Sequence, residues 1–276
     1  MKKFILDLTV KEVVRLHERY VLIKLTQSNP LPPMAPGQFV EVRVDGSPST
    51  FLRRPISINF VDYEANELWL LVATVGDGTR QMALLQAGQT LNCVLPLGNG
   101  FSQEEPLPGA VLLVGGGVGV APLLYLGAQL RQKGAEPTFL LGARTAKDLL
   151  LLDEFRRYGR LLVTTEDGSL GERGFVTQHS VLVQEHFDLI QCCGPTPMMK
   201  AVARYARQNG IDCEVSLENL MACGLGACLC CVEKVRTGDE SPATANIKGT
   251  TTAGTSNVCV CKEGPVFNIN RLLWQD

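Results

Sequence analysis

The chain has 276 residues, 26 of them basic and 28 acidic, for a formal net charge of -2, with 45% hydrophobic and 20% charged residues. This is ordinary for a globular protein and long enough for two compact domains plus a small appendage. It excludes a strongly basic surface for nucleic acid, and the apolar runs, interrupted by Gly, Pro or charge, are too short to span a bilayer.

Residues 1–104 are expected to form a β domain. The segment Met1 to Asp7 meets an acid before any long apolar run, so no signal peptide and a cytoplasmic location are expected. Tyr20–Leu25 and Phe39–Val44 have strand length and β-branched content, with Pro30 to Pro36 and Gly46 to Pro48 as punctuation. Several short strands separated by turns predict an antiparallel closed barrel. Within it, Arg53-Arg54-Pro55-Ile56-Ser57-Ile58 lies on a strand, and Gly76-Asp77-Gly78-Thr79-Arg80 opens a short helix, Gly78 to Gln86. An Arg grips a phosphate bidentately, a Ser hydroxyl and strand backbone suit an isoalloxazine edge, and the N–H groups of Gly78 and Thr79 suit a pyrophosphate. The pair points to a flavin, although an Arg-Pro at a strand end is ordinarily structural.

A polar, Pro-rich linker near Glu104 to Gly109 opens the second domain, residues 105–212. Val111–Val114 is a continuous apolar run, the mark of a strand buried on both faces. Gly115-Gly116-Gly117-Val118-Gly119 follows, then a helix to about Gln132. Further strands are expected at Thr138–Gly142, Leu161–Thr165 and Leu189–Cys193, with helices around Asp148 to Tyr158 and Phe175 to Val183. This alternation predicts a parallel-sheet α/β domain for a nicotinamide nucleotide. Gly115, Gly117 and Gly119 form its phosphate-binding turn, although the pattern is not G-x-G-x-x-G. Cys193, Gly194 and Pro195 end a buried strand where open sheets bind ligands, and Thr165 to Ser169 is a turn on the same edge. A bare strand–helix turn and a packed thiol are the competing readings. His17, His179 and His186 have no constellation around them.

Residues 213–276 form a third, cysteine-rich segment. Ten cysteines in a reducing compartment point to metal or catalysis rather than disulfides, and seven of the ten follow residue 212. Cys223, Cys228 and Cys231 have C-x4-C-x2-C spacing, the plant-type arrangement for a [2Fe–2S] cluster, with Cys261 or Cys259 as the fourth ligand. Gly224 and Gly226 let the backbone close over the cluster. A structural zinc site or a set of buried thiols are the alternatives. Spacing alone does not choose between Cys259 and Cys261. Thr237 to Asn257, rich in Thr, Gly, Ser and Ala, is expected to be an exposed loop.

Taken in order, these motifs resemble the ferredoxin–NADP reductase superfamily. Met221 to Cys228 and Val260-Cys261-Lys262-Glu263-Gly264-Pro265-Val266-Phe267 are similar to the electron-transfer subunits of class 1B dihydroorotate dehydrogenases, over almost the whole chain. The resemblance implies an FAD-binding barrel, an NAD-binding domain and a C-terminal [2Fe–2S] loop. It implies FAD contacts from Arg54, Pro55, Ile56, Ser57, Leu71, Val72, Ala73, Gly78 and Thr79. It implies cluster ligands Cys223, Cys228, Cys231 and Cys261, the last favoured by its Lys-Glu-Gly-Pro-Val-Phe context. The implied partner is an FMN-containing catalytic subunit that oxidises dihydroorotate, in a heterotetramer of two catalytic and two electron-transfer subunits. Electrons would pass through the cluster and FAD to NAD⁺, in pyrimidine biosynthesis. The 29 residues between Cys231 and Cys261 exceed the family's usual number. Other readings are a subunit of an NADH-dependent ferredoxin:NADP reductase or sulfide dehydrogenase, a flavin reductase with a structural zinc, and a metal-stabilised interaction module.

Overall fold

The computed structural model describes residues 2–103, 105, 107–237 and 254–274. The barrel consists of β1 (Phe4–His17), β2 (Tyr20–Thr26), β3 (Phe39–Val42), β4 (Arg54–Asp62), β5 (Glu67–Ala73) and β6 (Thr90–Leu97), with the short helix α1 (Asp77–Met82) between β5 and β6. The strands close in the order β1-β2-β5-β4-β3-β6, and β6 returns to β1. Closure pairs β1 with β6, the two strands an open sheet would leave at its edges. Alternation decides what fills the interior. Val21, Ile23 and Leu25 of β2 are fully buried inside the barrel, while Leu22 between them points outward and packs with Leu113, Leu123 and Leu141 of the second domain.

That second domain is built on β7 (Val111–Gly116), β8 (Thr138–Ala143), β9 (Arg160–Thr165), β10 (Glu172–Arg173), β11 (Leu189–Cys193) and β12 (Asp212–Ser216). Helices α2 (Ala121–Gln132), α3 (Leu152–Tyr158), α4 (Val181–Gln184) and α5 (Thr196–Asn209) connect them. A last strand, β15 (Val266–Asn268), joins antiparallel to β12 and completes a seven-stranded sheet in the order β10-β9-β8-β7-β11-β12-β15. All of β7 is buried, as expected of a strand covered on both faces. The order reverses between β7 and β11, so a crevice opens beyond their carboxyl ends.

The two domains share one helix. Tyr125 of α2 is 2% exposed, lies in the barrel's apolar core, and donates its hydroxyl to Met34 O at 3.1 Å. Asn59 of β4 donates its amide to Ala121 O at 2.9 Å. This fixes the carboxyl ends of the parallel strands against the wall that carries Arg54–Ser57.

The cysteine-rich segment is an excursion from the sheet edge. It leaves after β12 and returns through β15, where Ser216 pairs with Val266 and Leu217 N–H donates to Pro265 O at 2.9 Å. Inside it, β13 (Val232–Arg236) and β14 (Thr255–Cys259) form a hairpin, followed by the single turn α6 (Val260–Glu263). The sheet thus runs through residue 212, where the sequence texture changes, as far as Ser216. At the far end of the described hairpin Thr237 N–H donates to Gly254 O at 3.0 Å. Most of the expected loop, residues 238–253, lies outside the described residues. Among the described residues no helix is long and apolar enough to cross a membrane.

Candidate functional site

The flavin motif borders a gap in the barrel. Arg54 to Ser57 pair with β3, Arg54 opposite Val42 and Ser57 opposite Phe39. On its other edge β4 meets β5 only from Ile58 opposite Leu70 onward, and the register shifts just beyond, between Ile58 and Phe60. Leu71, Val72 and Ala73 pair with β2 instead. The strands therefore diverge, leaving the backbone of Arg54–Ser57 and of Leu71–Ala73 on the two sides of a slot. The side chains of Leu71 and Val72 are buried elsewhere, so these residues offer the slot their backbone only. Gly78 is brought to Arg54, since a Cβ on Gly78 would lie 3.3 Å from Arg54 Nε. Thr79 orders the turn by accepting from Gly76 N–H at 3.1 Å. Unpaired strand edges, a guanidinium and a helix start on one slot fit a planar ring carrying a pyrophosphate.

At the sheet's switch point lies a cavity of about 560 Å³, within the range of cofactor sites. Gly117 and Pro195 line it, with Gly116, Arg144, Thr164 and Glu166. Behind this wall Gly115 pairs with Cys193, and Gly119 packs backbone to backbone against Gly194. Cys193 is 1% exposed, and burial holds its thiol well above the usual range, so it is a packing group and not a thiolate. Glu166 belongs to the turn Thr165–Ser169. Arg19 and Tyr20 enter the same cavity from the β1–β2 turn of the barrel. They were invisible in the sequence, because nothing local in Arg19-Tyr20 signals a contact with a turn of another domain.

The cysteines meet at the hairpin base. Val260 N–H donates to Cys231 O at 3.0 Å, and Cys261 N–H points at Cys231 Sγ at 3.3 Å. Leu225 N–H lies 3.3 Å from Cys223 Sγ, and Cys230 N–H lies 3.5 Å from Cys228 Sγ. Burial opposes ionisation of Cys223, but the backbone N–H groups of Leu225, Cys228 and Ala227 outweigh it and bring its thiol down to about 6. Amides aimed at sulfur are what thiolate ligands of an iron–sulfur cluster require, so this loop fits such a group. Cys259 turns its thiol onto Gly226 O at 3.8 Å, whereas Cys261 bonds to Cys231. Cys230 is exposed. Among the described residues no three His, Cys, Asp or Glu side chains converge on a single metal ion.

The loop rests on the barrel. Gly224, at φ 65°, lies so close that a Cβ there would stand 2.6 Å from Glu41 Cγ and 2.9 Å from Leu97 Cδ1. Glu41 is fully buried, and burial lifts its carboxyl to about 7 against the pull of the Arg53 guanidinium. A strand reading of Phe39–Val44 gives no warning of this, because an acid at position 41 in an apolar run ordinarily faces water.

Comparison with known proteins agrees with this arrangement. Residues 218–273 match the model of the iron–sulfur cluster binding domain of dihydroorotate dehydrogenase B, and residues 113–204 match the oxidoreductase NAD-binding domain. The dihydroorotate dehydrogenase B (NAD(+)) electron transfer subunit of Bacillus velezensis is 41% identical over 233 residues, 84% of each chain. That of Fusobacterium nucleatum is 35% identical over 270 residues, 95% of each chain. The chain belongs to the family of dihydroorotate dehydrogenase B electron transfer subunits. A solved structure of an NADH-dependent reduced ferredoxin–NADP oxidoreductase superposes with a TM-score of 0.80 and 31% identity, covering 97% of this chain and 90% of its own. This electron transfer subunit is accordingly an oxidoreductase with FAD, iron–sulfur and NAD as its cofactors.

Proposed function

We propose that this subunit carries electrons between the FMN of a dihydroorotate-oxidising catalytic subunit and NAD⁺. In this reading Cys223, Cys228, Cys231 and Cys261 hold a [2Fe–2S] cluster. FAD occupies the slot between Arg54–Ser57 and Leu71–Ala73, with Gly78 and Thr79 at its pyrophosphate. The nicotinamide nucleotide lies in the cavity lined by Gly117 and Pro195, with Gly115, Gly119, Cys193 and Gly194 forming the locked turns behind it. Two such chains and two catalytic subunits make a cytoplasmic heterotetramer. The domains fall at residues 1–104 and 105–212, the sheet of the second continuing through Ser216 before the cysteine segment leaves it.

The observation that carries this reading is the seat of the cysteine loop on β3, the strand that pairs with the flavin motif: Gly224 covers Glu41, and Glu41 pairs with Pro55. Flavin exchanges one electron or a hydride, and the cluster exchanges one electron at a time. The residues do the positioning. Asn59 and Tyr125 hold the switch-point cavity against the flavin slot, and the barrel wall holds the cysteine loop against its other side. Short, fixed separations of this kind are what a relay needs.

A second reading is a subunit of a ferredoxin–NADP oxidoreductase, favoured by the 31% identity over 97% of the chain with that solved structure. Reconstitution separates the two. Purified subunit mixed with a dihydroorotate-oxidising catalytic subunit should give dihydroorotate-dependent NAD⁺ reduction and co-elute with it as a two-plus-two assembly. Reduction that instead requires ferredoxin, with no co-elution, would favour the second reading.

A further inference from the structure

Glu41 has no role in the fold that its surroundings explain. It is fully buried on β3, and neither carboxylate oxygen accepts a hydrogen bond. A buried carboxylate without donors costs several kcal/mol and is ordinarily paired. The nearest guanidinium, that of Arg53, is directed elsewhere: Nη1 donates to the carbonyls of Glu41 and Asn92 at 3.2 Å each, and Nη2 to Asn92 Oδ1 at 2.5 Å. Within the barrel the carboxyl is met only by the Coulomb pull of the Arg53 and Arg54 guanidinium groups, without a hydrogen bond from either.

The side chain lies instead beneath the cysteine loop. A Cβ on Gly224 would stand 3.2 Å from Glu41 Oε1 as well as 2.6 Å from Cγ, so the loop reaches this depth only because residue 224 has no side chain. Gly224 follows Cys223 directly, and Cys223 lies within the electrostatic reach of the carboxyl. An acid and a cluster-binding loop are thus packed in direct contact.

We infer that Glu41 is a positioning residue of the iron–sulfur site, a buried carboxyl in the barrel wall that, in its ionised form, lowers the reduction potential of the cluster held above it. The inference rests on the iron–sulfur reading of the cysteine loop. Coulomb interactions in a water-poor interior are several-fold stronger than in solvent. A carboxylate against the loop disfavours arrival of an electron on the cluster and lowers its potential. The barrel thereby adjusts the one-electron carrier relative to the flavin on the neighbouring strand, without touching a ligand.

The test is an EPR-monitored potentiometric titration of the loaded subunit at pH 9, for the wild type, Glu41→Gln and Glu41→Asp. Iron and acid-labile sulfide are measured first. Wild-type protein without them would remove the reading of the site, and this inference with it. With cluster present, Glu41→Gln, of the same shape and neutral, should raise the midpoint by roughly tenfold in the reduction equilibrium, ~59 mV for one electron. Glu41→Asp, which keeps the charge and withdraws it by one methylene, should fall between the two. An unchanged or lowered midpoint in Glu41→Gln overturns the inference. If Glu41→Gln retains no cluster, the Asp variant decides: a midpoint above the wild type supports the inference, and one at or below it overturns it. Leu97→Ala, which loosens the same contact with Gly224 and leaves the charge in place, should leave the midpoint where it is. A shift there as large as that of Glu41→Gln would make packing, not charge, the cause and would also overturn it.

Discussion

Gly119 and Gly194 are in backbone contact: a Cβ on Gly119 would lie 2.6 Å from Gly194 N and 2.7 Å from Cys193 O. The turn after β7 and the turn after β11 are thereby locked together at the switch point. Backbone cannot yield as the tip of a side chain can, so Gly119→Ala must push the turns apart. Overpacking of this kind costs about 1–3 kcal/mol. Because the strain falls on the cavity wall, nucleotide binding should suffer before the other cofactors. If about 1.4 kcal/mol falls on the bound state, the Kd for NADH rises about tenfold. Calorimetric titration with NADH, beside flavin and iron content, checks this. A variant with wild-type Kd and thermal stability would show that the contact is not constraining.

The cysteines of the hairpin base should respond unequally. Cys261 is joined to Cys231 through both its amide and its thiol, whereas the Cys259 thiol is turned to Gly226 O. Cys261→Ser should therefore lose most of its iron and acid-labile sulfide and its reduced-cluster EPR signal. Cys259→Ser should keep both near one cluster per chain, with a modest loss of thermal stability. The reverse pattern would assign the fourth ligand to Cys259.

How much of this was legible beforehand varies with the range of the interaction. The run Val111–Val114, the helix ending at Gln132 and the strand Leu189–Cys193 were readable because local pattern decides them. The cysteine spacing was readable because a cluster demands it. Other features depend on distant partners. The expected helix Asp148 to Tyr158 begins only at Leu152, because Leu150 is drawn into the core and Leu151 takes φ 55°. The expected helix Phe175 to Val183 breaks into a 3-10 turn, Val176–Gln178, and α4, because His179 is extended and its Nδ1 accepts from Val181 N–H at 3.0 Å. Residues Asp212–Ser216 stay in the sheet beyond the change in texture, because both β11 and the returning β15 pair with them. Glu41 and Arg19 gained their places only when the cysteine loop and the second domain folded onto the barrel.

That His179 contact has a pH consequence. Burial is the main cause that lowers the His179 pKa below its ordinary 6.5, opposed by Glu172. Its Nδ1 must be unprotonated to accept from Val181. The neutral ring therefore belongs to the folded state, and its contribution is complete above pH 6.5. Below that value the unfolded chain takes up a proton that the folded chain resists, so stability falls with falling pH. His179→Asn preserves an acceptor for Val181 N–H and cannot titrate. The drop in melting temperature between pH 7.5 and pH 5 should be smaller in the variant than in the wild type. Equal drops would mean that other groups carry the acid sensitivity.

The last prediction concerns the residue that ties the cysteine segment to the end of β6. Asn99 N–H donates to Gly264 O at 2.6 Å, and its side-chain amide donates to Lys262 O at 3.1 Å and Glu263 O at 3.0 Å. One side chain thus satisfies two carbonyls at the end of α6, the turn that contains Cys261. Asn99→Ala removes both donors at a cost of about 1–3 kcal/mol. Asn99→Asp is of nearly the same shape but sets a carboxylate, which can only accept, against two carbonyl oxygens, and should be worse than alanine. The measurement is the rate at which iron is lost to a chelator, with flavin retention followed in the same sample. The order expected is wild type slowest, then Asn99→Ala, then Asn99→Asp, with flavin retention alike in all three. An aspartate variant as retentive as the wild type would mean that the backbone bond to Gly264 alone holds the segment in place.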